Sequence, residues 1–383
     1  MSLHGLEVRV IGGGIGGFAI ATILAQRGAK VKLFEQSAAL REVGAGLQIS
    51  ANGQCVLKAM SLLDQINHYV SSGTKLIDGY SGRTLSVVRS PRTGNTWYVY
   101  RPDLLQALQV AALKVGVFVE LDQQVTPKTF DNQRHVDLIV AADGGRSLWR
   151  TFVDGPTAQK FSRKLVWRAL VNCESPIAVG ESANLVMNNR SHIVTYPIQQ
   201  GKLMNIVAVE SRRNWASESW NQVGDPEEFR NTFANFKGVT EQWISAAKKV
   251  HLSALHVRPV VRHWYRDNVA LLGDSAHPTL PFMAQGACLA LEDAWILSDA
   301  LDQTGSVWRG LQLYQSVRWQ RVKKVVELAR RNAFLFHLSR PWNLGTQLIM
   351  RMGSNTLAQR MEWVYEYNAT NAISSLLERS KSS

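Results

Sequence analysis

The sequence predicts an α/β fold with α+β elements: a mostly parallel, dinucleotide-binding sheet, interleaved with an antiparallel β-sheet domain and followed by a helical C-terminal segment. Three observations carry this. A short apolar strand, residues 7–11, runs into Gly12-Gly13-Gly14-Ile15-Gly16-Gly17 and then into a helical pattern. Two more buried-strand patterns, residues 137–142 and 269–272, end in an acid beside a glycine, at Asp143-Gly144 and Gly273-Asp274. Between those two ends lie stretches rich in β-branched residues with strand-like patterning.

In chain order, Gly12, Gly14 and Gly17 satisfy GxGxxG. Residues 18–27 continue as an amphipathic helix ended by Gly28, and residues 30–34 form a second strand ending in Glu35. Such a βαβ unit seats a pyrophosphate at the helix N-terminus and a ribose on the acid. It does not distinguish NAD from FAD. The next loop, residues 40–52, places Gly44 and Gly46 after Arg41. It reads either as backbone brought close to a ligand or as an ordinary connection into a helix over 52–60. Arg101-Pro102 starts another helix with proline in its first turn. Asp143-Gly144, followed by Arg146, Ser147 and Arg150, repeats the strand–acid–glycine pattern, with a capped helix start as the competing reading.

Residues 269–295 (VALLGDSAHPTLPFMAQGACLALEDAW) place Asp274 just outside the carboxyl end of a strand, where open α/β sheets bind ligands. Pro278 and Pro281 mark a loop, and Gly286 opens a helix through Leu301 whose free N–H groups face that loop. Cys288 reads as a small packing residue. Beyond Val307 the sequence is helical and basic, Arg340-Pro341 breaks it, a last helix lies around 344–367, and the Ser/Lys tail after Leu377 reads as disordered.

At 383 residues, the chain exceeds the usual size of one core, so two domains are expected. Three cysteines without CxxC or a His/Cys cluster argue against disulfides and metal, and fit a reducing cytoplasm. Residues 8–24 are broken by five glycines, which fits a buried strand and turn rather than a signal peptide or membrane span. The net charge of +13 is dispersed. Its densest cluster, residues 318–331 (RWQRVKKVVELARR), reads as one solvated helix face. Without a nucleic-acid module, attraction of anionic small molecules accounts for the charge, and no nucleic-acid partner is expected.

Six motifs together resemble a known family: the Gly12–Gly17 turn with Glu35, REVGAGLQISAN at 41–52, YRPDLL at 100–105, AADGGRSLWR at 141–150, LLGDSAHPTLPFMAQGACLALEDA at 271–294, and WVYEYNAT at 363–370. They are similar to those of the FAD-dependent, single-component aromatic hydroxylases of the para-hydroxybenzoate hydroxylase fold, in the branch of salicylate hydroxylase, 3-hydroxybenzoate 6-hydroxylase and 6-hydroxynicotinate 3-monooxygenase. The resemblance covers nearly the whole chain. It implies a discontinuous, Rossmann-like FAD-binding domain over 1–72, 98–159 and 262–330, a substrate-binding domain over 73–97 and 160–261, and a C-terminal helical segment over 331–383.

The resemblance also implies residue roles. FAD would lie on Gly12, Gly14, Ile15, Gly16 and Gly17, with its adenosine at Glu35 and Gln36. Arg41 and Arg101 would reach its phosphates or ribityl chain, and Gly273 and Asp274 would hold the ribityl hydroxyls and pyrophosphate. Pro281, Gln285, Gly286 and Ala287 would border the flavin, with the helix start facing its anionic edge. Asp143, Gly144 and Arg146 belong to a segment tied to FAD and NAD(P)H, and His277 reads as structural or flavin-side. Gln48 and Met283 are candidate substrate contacts. In HIVTYPI, His192 and Tyr196, four residues apart, share a strand face. As base and relay they suit the removal of a phenolic proton. The same spacing fits a buried histidine beside a core tyrosine. The expected reaction is hydroxylation of a small aromatic or heteroaromatic phenol or acid by NAD(P)H and O2 through a flavin C4a-hydroperoxide, in a cytoplasmic protein without membrane insertion, with a homodimer as the expected assembly. Another flavin reaction on the same fold (epoxidation, N-hydroxylation, isoprenoid reduction) or a non-catalytic FAD-binding redox module are the alternatives.

Overall fold

The computed structural model describes residues 3–39, 45–89, 95–130, 136–173, 181–213, 222–337 and 354–381. Its first layer is a six-stranded sheet in the order Tyr265–Arg266, Val269–Leu271, Leu138–Ala141, Glu7–Ile11, Lys30–Phe34, Phe118–Glu120. All neighbours run parallel except the antiparallel edge strand Tyr265–Arg266. Val8, Val10, Leu138 and Val140 are fully buried, as expected of strands covered on both faces. The helix following the glycine turn, Ile15–Gln26, packs between helices Arg101–Lys114 and Gly286–Thr304. It is not amphipathic: every residue from Ile15 to Leu24 is buried, because neighbouring helices cover the side that an outer helix would turn to water.

A second, eight-stranded sheet runs in the order Gln222–Gly224, Val250–Val257, Lys160–Asn172, Leu203–Ser211, Ser191–Ile198, Ala183–Asn188, Gly73–Asp78, Thr84–Arg89. Its pairings are antiparallel except that Ala183–Asn188 runs parallel to Gly73–Asp78. Strand alternation splits Lys160–Asn172 between two environments. Leu165, Trp167 and Ala169 meet Phe229, Phe233 and Trp243 of the helices Pro226–Thr232 and Val239–Ala246 and the turns that follow them. Val166 on the opposite face joins Val209, Leu255, Leu280, Phe282 and Ala333. A small sheet of Gly46–Ile49, Trp97–Tyr100 and His68–Val70 lies against the eight-stranded one. Gly46 crosses so near that a Cβ there would stand 2.6 Å from the Tyr196 ring and 2.8 Å from Asn205, which only glycine avoids.

The long helices Gly286–Thr304 and Val307–Leu335 pack on each other and overturn one sequence expectation. Residues 318–331 are not one solvated face. Lys323, Lys324, Arg330 and Arg331 are exposed, but Arg318 and Arg321 are buried against Glu292 and Asp293. Arg318 Nε donates to Asp293 Oδ1 at 2.7 Å, and Arg321 reaches both Glu292 oxygens at 2.8 and 2.9 Å. Arg321 also donates to the carbonyls of Trp363 and Val364, each at 2.8 Å, which ties down helix Ser354–Tyr365. The final helix, Ala372–Lys381, extends past Leu377, where disorder was expected, because it packs on helix Gly286–Thr304 with Ile373 buried. Arg340-Pro341 lies outside the described residues. Among the described residues, no helix is long and apolar enough to cross a membrane.

Burial pushes the Glu292 and Asp293 carboxyls up, but Arg318 with Arg321 or His277 outweighs it and holds both below the ordinary carboxylate range. Their contribution to stability is therefore complete above the unfolded-state carboxylate pKa and is lost as pH falls through the lower folded values. Arg318→Met should lower unfolding free energy by about 3–5 kcal/mol, because it strands two buried carboxylates. Denaturant titration checks this, and a loss confined to the level of a surface substitution would contradict the pairing.

Candidate functional site

Strand order sets the first half of the site. The carboxyl ends of Val269–Leu271, Leu138–Ala141, Glu7–Ile11 and Lys30–Phe34 stand side by side, so Asp274, Asp143, the glycine turn and Glu35 form one row. Gly12 has φ +106°, and a Cβ there would run into the Ala142 carbonyl, so the turn lies directly against the Asp143 strand end. Glu35 accepts from Gly13 N at 2.7 Å and from Ser37 N at 2.8 Å, which fixes its carboxylate beside the turn.

Two features fit a dinucleotide along this row. A Cβ on Gly14 would meet nothing within 4 Å, and the helix beginning at Ile15 has no side-chain cap, so its first N–H groups face open space. Asp143 Oδ1 is buried without a hydrogen-bond partner among the described residues, while Oδ2 accepts from Leu148 N at 3.0 Å. Burial raises the Asp143 carboxyl against the hydrogen bonds from Ser147 and Leu148. Asp274 is exposed along its edge yet crowded by protein, and the resulting desolvation raises its pKa while the charges of His277 and Arg101 pull it back. Gly273 N donates to Asp293 Oδ2 at 3.0 Å and His277 Nε2 lies 2.6 Å from the same oxygen, so the turn carrying Asp274 is anchored to the buried ionic cluster. Arg150 donates to the carbonyls of Ser275 and Ala276 at 3.2 and 2.9 Å and braces that turn from the other side.

The second half of the site is the face of the eight-stranded sheet turned towards the loop Pro281–Met283. Register puts Tyr196 opposite Asn205, Val194 opposite Val207 and His192 opposite Val209, with Arg168 beside Val207. The Tyr196 ring lies 4.8 Å from that of Tyr98, tilted by 35°, and the Tyr98 hydroxyl is fixed by Ser71 and by Ala183 N. Burial, with Tyr98 nearby, pushes the Tyr196 phenol well up. Asn205 Oδ1 accepts from Gly46 N at 2.8 Å, and its buried Nδ2 has no partner among the described residues. Burial and Arg101 bring Arg168 down to about 10, and it donates to Ser253 Oγ at 2.8 Å. His192 lies 5.3 Å from the Phe282 ring, and its Nδ1 is 2.8 Å from His337 Nε2.

Of the residues named from sequence, Gly12, Gly14, Ile15, Gly16, Gly17, Glu35, Asp143, Gly144, Gly273 and Asp274 gather on the parallel-sheet edge. Gln36 and Arg146 are exposed near it. Arg101 heads helix Arg101–Lys114, with its N–H donated to Ala45 O at 3.1 Å and its charge acting on Asp274 and Arg168. Arg41 lies outside the described residues. Gln285 is buried and donates to Ser50 Oγ at 2.9 Å, while Pro281, Gly286 and Ala287 are at least partly exposed in the loop and helix start. Met283 is buried, its sulfur 2.8 Å from Asn332 Nδ2, and Gln48 sits on strand Gly46–Ile49 opposite Tyr98. No hydrogen bond joins His192 to Tyr196 among the described residues; His192 turns to His337 instead. Sequence reasoning missed Asn205, Arg168 and His337. Only Arg168, a cation inside an otherwise apolar strand pattern, carried a signal there.

The comparisons bear on the same regions. A family model described as FAD binding domain matches residues 5–329. The chain is 29% identical over 387 residues to the 3-amino-4-hydroxybenzoate 2-monooxygenase PtmB3 of Streptomyces platensis, covering 95% of this chain and 96% of that protein. It is 26% identical over 389 residues to 3-hydroxybenzoate 6-hydroxylase of Klebsiella oxytoca, covering 95% and 97%. Among solved structures, a salicylate hydroxylase substrate complex matches with a TM-score of 0.80 at 22% identity, covering 96% and 97% of the two chains. Klebsiella pneumoniae HpxO complexed with FAD and uric acid matches with a TM-score of 0.82 at 21% identity, covering 93% and 95%. These two structural likenesses establish the fold.

Gly14→Val should fold with stability within about 0.5 kcal/mol of the parent, as for a substitution into open space, yet purify with little bound dinucleotide. Gly12→Ala should instead lower the thermal midpoint, since a left-handed conformation alone costs roughly 1–2 kcal/mol. Flavin absorbance per chain and a thermal melt check both, and full cofactor content in Gly14→Val would contradict the placement.

Proposed function

The chain belongs to the FAD-binding domain family, and on that premise we propose that it is a monooxygenase hydroxylating a small aromatic or heteroaromatic phenol or acid with NAD(P)H and O2. The carrying observation is the sheet face just described: a histidine, a tyrosine, an arginine and an unsatisfied buried amide share it, and the histidine lies against Phe282 of the loop that follows Asp274. Relatives named for hydroxybenzoate chemistry match over nearly their whole length, which supports the substrate class.

Bound FAD supplies the two-electron chemistry between NAD(P)H and O2. Glu35, Asp143 and Asp274 would hold its hydroxyls, and the amides at Gly14 and Ile15 its phosphates. The chain's own task is to bind, orient and activate the ring. His192 takes the ring hydroxyl's proton at Nε2, since Nδ1 is engaged by His337, and the resulting phenolate is electron-rich. Arg168 and Asn205 Nδ2 donate to an anionic oxygen of the substrate. The Tyr196 ring and Phe282 supply apolar walls that exclude water. The discontinuous domain division, with residues 73–97 and 160–261 on the substrate side, belongs to the same proposal.

The purified yellow protein should oxidise NAD(P)H faster with a hydroxybenzoate or hydroxypyridine, giving a product one oxygen heavier. A panel without any stimulation would count against the reading. His192→Ala should retain FAD, lose about a hundredfold in coupled hydroxylation and release more peroxide. Unchanged coupled turnover would remove His192 from the reaction.

A further inference from the structure

His192 as the base for the ring hydroxyl faces an energetic difficulty. Burial, with Lys164 nearby, lowers the His192 imidazolium to about 3. A free phenol has a pKa of about 10, so on its own His192 would return the proton almost at once. Something behind it must take the proton on.

We propose that His337 and Lys164 form a proton path that drains His192 into a basic cavity beside Leu280 and Ala333; this rests on the reading of His192 under the proposed function. Three contacts make the path continuous. His192 Nδ1 is 2.8 Å from His337 Nε2, and His337 Nδ1 is 3.0 Å from Lys164 Nζ and 2.8 Å from Ser211 Oγ. His337 and Lys164 both line a cavity of about 530 Å³, together with Ser162, Ser211 and the cations Arg163, Arg190, Arg212, Arg213 and Arg330. Among the described residues no carboxylate lines it, although Arg212 pairs with Glu210 and Glu228 outside.

Donor rules fix the direction of transfer. An ammonium can only donate, so a charged Lys164 makes His337 Nδ1 an acceptor. His337 then carries its proton on Nε2 and donates it to His192 Nδ1, leaving His192 with Nε2–H and no basic nitrogen towards the ring. A neutral Lys164 allows the opposite arrangement: His337 Nδ1–H donates outward, His192 Nδ1–H donates to His337 Nε2, and His192 Nε2 is bare. Proton uptake from the ring hydroxyl at His192 Nε2 converts the second arrangement into the first. The Nδ1 proton of His192 passes to His337 Nε2, the Nδ1 proton of His337 passes to Lys164 Nζ, and the ammonium gives it to water in the cavity. One proton enters and one leaves, and both imidazoles end neutral.

The electrostatics agree with this order. Burial, with His192 and Lys164 nearby and the Arg190 carbonyl opposing, takes the His337 imidazolium down to about 2, so neither ring stores charge. Burial lowers the Lys164 ammonium to about 8, roughly two units from a phenol near 10 instead of seven. His337 and Lys164 act through His192 and never touch the ring, so both are positioning residues.

The test reads the bound phenolate by its absorbance when oxidised holoenzyme is mixed with a hydroxybenzoate or hydroxypyridine, without NAD(P)H, from neutral to alkaline pH. In the parent protein the rate of phenolate formation should rise with pH through a midpoint of about 8, since Lys164 must be neutral to accept. Lys164→Arg keeps the charge but cannot accept a proton, and His337→Gln keeps a polar contact but cannot relay one. Both should retain FAD and fold, lose that midpoint and slow phenolate formation by about a hundredfold. In His337→Ala, added imidazole should restore the rate and the weakly basic pyrazole should not. Parent-like midpoint and rate in Lys164→Arg and His337→Gln would overturn the path while leaving the hydroxylase reading intact. A parent protein that forms no phenolate with any such ring would overturn both.

Discussion

Glu292 and Asp293, paired with Arg318 and Arg321 where no water reaches, are the reference point from which the cofactor edge is placed. Glu292 Oε1 also accepts from Asn52 Nδ2 at 2.6 Å, and Asn52 bonds Gln285 Oε1 at 2.8 Å. Asp293 holds Gly273 and His277. One cluster thus sets the start of helix Ala51–Ala59, the turn bearing Asp274, the residue before Gly286 and the approach of the C-terminal helix. Burying four charges is costly, and an apolar replacement of the whole set could be equally stable. What the cluster contributes is placement: its four oxygens take donors from helix Ala51–Ala59, from the turn of Gly273 and His277 and from helix Val307–Leu335, so none of these can slide without leaving a buried acceptor unpaired.

The second constraint is the closeness of the small sheet to the eight-stranded one. Gly46 bridges them because its amide bonds Asn205 while its missing Cβ leaves room for the Tyr196 ring. Phe282 and Leu280 join the other end of the same sheet face. The row of strand ends and the sheet face proposed to bind the ring therefore meet at a junction built from one strand and one loop. Polar groups on that face, Arg168 and Asn205 Nδ2, sit among Val166, Val194 and Val207, where a hydrogen bond to a ligand is worth more than it would be in water.

Much of the cofactor half was legible, because glycine turns and acids at strand ends are local patterns. Gly12 to Glu35 is a single supersecondary unit, and Asp143 and Asp274 each follow their own strand. Arg318 and Arg321 were misread for the opposite reason. Their spacing on a basic helix looks the same whether the face is wet or buried, and the partner acids lie 25 to 29 residues upstream. Asn205 became visible only through register, which pairs it with Tyr196 across a turn. His337 follows the end of a helix and meets His192 across 145 residues, a separation at which no pattern in the sequence operates.

The insertion of Leu138–Ala141 between Glu7–Ile11 and Val269–Leu271 has a consequence for how the protein is made. During synthesis the glycine turn and Glu35 emerge early, but the sheet beside them keeps an open edge until residue 271 arrives. The parallel strand Gly73–Asp78 likewise waits for Ala183–Asn188. Helix Gly286–Thr304 carries two carboxylates that stay uncompensated until residue 321 has been added. Long-range pairings of this kind form slowly and late. The ribosome therefore releases a chain whose nucleotide cradle is incomplete for most of its synthesis, and FAD meets a nearly finished protein rather than a nascent one.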